Sequence, residues 1–129
     1  MRKIVDFIVP YAGIKFNLSP LAHFARDFFL AVILWQIGYR DFQAAFATMF
    51  ASGFFEAGNG VAFKEGGNHG FFDLLDFLPS PVAGFLAVGY LSDKFDLMLL
   101  LELLAIYAIT VIIIVVLNKL LGRKIIIGG

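Results

Sequence analysis

The chain has 129 residues, ten basic and ten acidic side chains and no cysteine; 60% of it is hydrophobic and its mean hydropathy is +0.89. That length corresponds to one domain, the balanced charge removes the electrostatic basis for nucleic-acid binding, and the missing cysteines exclude disulfides and thiolate metal sites. Soluble domains average roughly 45–50% apolar residues, so the composition points to an integral membrane protein. The pattern along the chain predicts an all-α, polytopic one: a four-helix transmembrane bundle with a short N-terminal interfacial segment.

Residues 1–19 open with Ile4, Val5, Phe7, Ile8 and Val9, broken by Pro10 and Gly13. The run is too short to cross a bilayer, which takes ~20 residues, so it is expected to lie at the interface or pack under the bundle. No small-residue cleavage site follows a proper apolar core, and no signal peptide is expected. The first span, residues 20–39, starts at Ser19-Pro20, where Ser can cap and Pro suits the first turn. It carries His23, Arg26 and Asp27 in its first two turns and Trp35 and Tyr39 at its far boundary, where interfacial aromatics belong.

The second span, residues 42–63, has Ala45, Thr48, Ser52 and Gly53 leading to Glu56, with Asn59 one turn further on. Spacings of three and four set such residues on one face, and small residues let membrane helices approach closely. The third span, residues 71–92, places Asp73, Asp76, Ser80, Ala83 and Ala87 on one side, and Phe72, Leu75, Leu78 and Phe85 on the other. Pro79 and Pro81 are expected to bend it. The fourth, residues 97–118, is Leu-, Ile- and Val-rich with Glu102 as its only charge, and Lys119, Arg123 and Lys124 stop it.

Between the second and third spans, Gly58 to Gly70 is Gly-rich and holds Lys64, Glu65 and His69. Each Gly costs a helix ~1 kcal/mol relative to Ala, so a loop is expected there. It lacks the Gly-Lys-Ser/Thr ending of a phosphate-binding loop, and His69 is expected in solvent. Four spans put both termini on one side with Arg2, Lys3, Lys15, Lys64, Lys119, Arg123 and Lys124; Arg40 and Lys94 fall on the other. The positive-inside rule then makes both termini cytoplasmic. In that topology His23, Glu56, Asp73 and Asp76 fall at similar depth, about one to two turns of ~5.4 Å inside. Arg26, Asp27 and Asn59 stand close enough to support them, whereas Glu102 lies near the opposite face.

The stretches HFARDFFLA (His23 to Ala31), FASGFFEAGNG (Phe50 to Gly60) and FDLLDFLPSPVAG (Phe72 to Gly84) resemble the VanZ-like proteins and a related group of small bacterial inner-membrane proteins. The resemblance covers about half the chain. It departs from the family where no Arg precedes the Asp pair and where Pro79-Ser80-Pro81 replaces an Asn-containing stretch. It implies a membrane-embedded protein of the cell envelope, in some members linked to glycopeptide-antibiotic resistance, and assigns no residue a catalytic role.

One imidazole and three carboxylates suit Zn, Mn or Mg better than copper. A divalent ion held there would act as a Lewis acid on the phosphate or pyrophosphate of a lipid-linked or amphiphilic substrate. The alternative is a buried network, His23 with an aspartate and Arg26 with Glu56, that only fixes helix register. No Ser–His–Asp motif is present. Two function classes follow: a membrane-embedded enzyme or binding protein, and a non-enzymatic accessory subunit of a larger membrane complex with protein partners in the membrane.

Overall fold

The computed structural model describes residues 2–62 and 71–128; the segment with Lys64, Glu65 and His69 lies outside the described residues. The elements are α1 (Arg2–Ile8), β1 (Tyr11–Lys15), α2 (Ser19–Ile37), α3 (Phe42–Ala62), β2 (Phe71–Asp73), α4 (Leu74–Phe77), α5 (Pro79–Ser92), α6 (Leu97–Leu120) and β3 (Ile126–Gly128). The fold is mostly helical. Two helical stretches, Leu74–Ser92 and Leu97–Leu120, are long and apolar enough to cross a membrane. α2 and α3 match them in length but carry His23, Arg26, Asp27 and Glu56.

The packing follows the small-residue faces. On α3, Ala45, Thr48 and Ser52 are fully buried and Glu56 is 5% exposed. Facing them on α5, a Cβ on Gly84 would stand 3.3 Å from the Ala45 Cα, so the two backbones meet with no side chain between them. Ala31 of α2 and Ala83 and Ala87 of α5 are also fully buried. Phe72, Phe77, Met49 and Leu103 fill the apolar core beside this seam. Pro79 ends α4 and begins α5, since a proline interrupts the helical bonds but is tolerated in a first turn.

The all-α expectation is corrected at one end of the molecule. Three short strands form a parallel sheet in the order β2-β1-β3, pairing Tyr11 with Phe71, Gly13 with Asp73 and Lys15 with Gly128. The N-terminal segment is therefore partly exposed and partly built into the core. Ile4, Phe7 and Ile8 of α1 are exposed, but Ala12 of β1 is fully buried. Gly13 allows this insertion, because any side chain there would run into the Phe71 ring. Phe72, expected on the side opposite Asp73, is a strand residue that is buried and stacks edge-on to Phe77 at 5.4 Å.

The sheet gathers the start of α2, the start of α4 and the end of α6 at one end of the bundle. The connections at Asp41 and at Ser92 to Asp96 line one cavity with Glu102, of about 340 Å³. Glu102 thus keeps apart from the acidic groups of α3 and α4.

Candidate functional site

The site forms where α2, α3 and α4 meet beneath the sheet. Asp73 closes β2 and caps α4, its Oδ1 accepting from the Leu75 amide at 3.0 Å and the Lys15 amide at 3.4 Å. The Asp73 amide donates to Glu56 Oε1 at 2.9 Å, tying α3 to the strand. One turn on, Asp76 Oδ2 stands 3.5 Å from His23 Nε2 of α2. One ligand atom from each of His23, Glu56 and Asp76 lies within 4.8 Å of the others. Glu56, Asp73 and Asp76 are 5%, 3% and 9% exposed, which excludes most competing water.

Beside these groups Arg26 and Asp27 close a ring with Ser52. Arg26 donates from Nε to Asp27 at 3.0 Å and from Nη2 to Ser52 at 2.8 Å, and Ser52 donates to the other Asp27 oxygen at 3.2 Å. Arg26 therefore pairs with Asp27 and not with Glu56, the partner expected in the purely structural alternative. Its guanidinium also lies over the Phe55 ring, 5.6 Å from the centroid.

Buried polar atoms are nearly always hydrogen-bonded, and each exception calls for an explanation. Among the described residues the buried side-chain atoms without a partner are His23 Nδ1, Asp73 Oδ2, Asp76 Oδ1 and Ser80 Oγ. Three belong to the cluster. The fourth, on a fully buried Ser80, lies one turn beyond Asp76 on the same face. Unmet buried polar atoms are what a cation or an ordered water satisfies.

The structure thus brings together His23, Glu56, Asp73 and Asp76, with Arg26 and Asp27 alongside. Asn59 is exposed on α3, not turned into the cluster. Two residues join that were not expected as members. Lys15 arrives through β1, and only its charge was legible in the sequence. Ser80 was legible as part of the small polar stripe, but nothing in the sequence marked its hydroxyl as unsatisfied. Comparison with protein-family models, with curated proteins and with solved structures gives no match.

Proposed function

We propose that the chain is a four-span membrane protein with both termini cytoplasmic, and that His23, Glu56 and Asp76, with Asp73 beside them, bind a divalent cation that receives an amphiphilic ligand at the membrane boundary. The observation that carries this reading is that one ligand atom from each of His23, Glu56 and Asp76 lies within 4.8 Å of the others, while His23 and Asp76 each keep a buried side-chain atom without a hydrogen-bond partner. Charge accounting supports a divalent ion. Asp27 and Arg26 offset one another, and against the ionised forms of Glu56, Asp73 and Asp76 stands Lys15, beside Asp76, as the remaining cation. Two negative charges are left over in a low-dielectric interior, where uncompensated charge is costly. The donor set of oxygens with one imidazole suits Mn, Mg or Zn, and an ion there has Lewis acidity to offer a bound phosphate. The VanZ-like resemblance of the His23, Glu56 and Asp73–Asp76 segments agrees with this reading.

Metal analysis of the purified protein beside Asp76→Asn tests it. About one equivalent of divalent metal is expected in the parent and a loss of roughly tenfold or more in affinity in the variant, the scale seen when metal-site groups are altered. A metal-free parent protein would remove the proposal.

The orientation has its own test. A reporter fused after Gly129 is expected to read as cytoplasmic and one inserted between Ser92 and Asp96 as external, following the Lys and Arg asymmetry. Two reporters on the same side would exclude four spans.

The accessory-subunit reading draws on a different feature. An apolar groove of about 230 Å³ between α3 and α6 is lined by Phe50, Gly53, Phe54, Ala57, Ile106 and Ile114 among others. None of His23, Glu56, Asp73 and Asp76 lines it, so an apolar partner or lipid chain there need not touch the cation site.

A further inference from the structure

The charged groups of the site are sorted by depth. The carboxylates of Glu56, Asp73 and Asp76 are inside, at 9% exposure or less. The cations stand at the rim: Arg26 keeps 34% of its side chain exposed, and Lys15 is half-buried at the end of β1. A negative interior under a positive rim suits two ligands at once, a metal ion inside and an anion over it.

Arg26 is built for the second role. The Asp27–Ser52 ring fixes its guanidinium through Nε and Nη2, and Nη1 has no hydrogen-bond partner among the described residues. It is close enough to act electrostatically on His23, Glu56 and Asp76, the three groups whose ligand atoms converge. A guanidinium held in one orientation presents a planar fork of donors that matches phosphate oxygens. Lys15 flanks Asp76 from the opposite element, its position set by the amide bond to Asp73. Beside these two cations the chain exposes Phe55, which lies under the Arg26 guanidinium, and Phe16, next to Lys15 in the sequence, an apolar collar that a free ion in water does not need and a lipid does.

We infer that Arg26 and Lys15 hold the headgroup of the ligand, and that this headgroup is a phosphate bridging the two side chains and the cation held by His23, Glu56 and Asp76. The inference rests on the cation-site reading and adds the ligand's chemical class. The apolar collar makes a lipid phosphate the source, with free pyrophosphate as the competing one.

The test uses the purified full chain in detergent with saturating Mn2+ and two probes: phosphatidic acid in mixed micelles, with phosphatidylcholine micelles as the blank, and inorganic pyrophosphate. Lys15→Gln removes one rim cation. Arg26→Gln combined with Asp27→Asn removes the other without stranding a buried carboxylate. Each is expected to weaken phosphatidic acid binding about tenfold or more, the loss of one charge-assisted contact, while Mn2+ binding stays as tight or becomes tighter. Phosphatidic acid bound in preference to pyrophosphate supports the lipid source. Pyrophosphate bound at least as well supports the phosphate site and overturns the lipid source. A parent protein that takes up Mn2+ but neither probe, or variants that bind the probes as the parent does, would overturn the inference and leave the cation site standing. A parent that takes up no Mn2+ would overturn both.

Discussion

Asn118→Leu is expected to destabilise the protein by about 3–5 kcal/mol, the sum of two or three buried polar groups left unpaired at ~1–3 kcal/mol each. Asn118 is 1% exposed near the end of α6. Its Oδ1 accepts from the Ala12 amide at 3.2 Å, and its Nδ2 donates to the carbonyls of Pro10 at 3.2 Å and Ile114 at 2.9 Å. Arg123 completes the lock, donating to the Val9 carbonyl at 2.7 Å and the Asp6 carbonyl at 2.9 Å and lying over the Tyr11 ring. These bonds hold β1 between β2 and β3, and a leucine makes none of them. Denaturation in mild detergent beside Lys119→Leu gives the comparison. The exposed neighbour is expected to change stability by no more than ~0.5 kcal/mol, and equal losses would mean that the side-chain bonds of Asn118 do not hold β1.

Asp27→Ala is expected to cost about 2–3 kcal/mol. Asp27 is fully buried and bonded to both Arg26 and Ser52. Its removal leaves a guanidinium without its counter-charge. Breaking a fully buried pair costs ~3–5 kcal/mol, and the partial exposure of Arg26 lets water recover some of that. Asp27→Asn keeps the shape, one oxygen to accept from Arg26 and an amide that can donate to Ser52 Oγ, and is expected to cost half as much or less. The same melting temperature for both variants would show that shape and hydrogen bonding contribute nothing there beyond the charge.

Much of the helical layout was legible because it depends on local pattern. Apolar runs, the Ser19-Pro20 start and the stops at Lys119 to Lys124 place α2, α3 and α6 within a few residues of their observed bounds. The small face of α3 was legible for the same reason, since spacings of three and four map directly onto one side of a helix. The convergence of His23, Glu56 and Asp76 was legible because residues near the same ends of successive helices, on their small-residue faces, are returned to one place. The sheet was not legible. Its strands are three to five residues long, too short for alternation to register, and its pairs join segments more than fifty residues apart. Missing the sheet also hid Lys15. The choice of Asp27 over Glu56 as the partner of Arg26 was hidden for a different reason: adjacent helical residues do not ordinarily face each other, and only the Ser52 bridge turns both side chains to one point.

Thermal stability of the purified full chain, measured in Mn2+ and in chelator for the parent and for Glu56→Gln, tests the cation site most directly. An ion that binds the folded state alone stabilises it by about 2.7 kcal/mol at a hundredfold excess over its dissociation constant. A divalent-cation site predicts that the parent melts higher in Mn2+ than in chelator and that Glu56→Gln loses most of that difference. The contrary result is a parent indifferent to the ion, with Glu56→Gln as stable as the parent or more so; the four acidic and imidazole groups would then be packing partners whose repulsion the amide relieves.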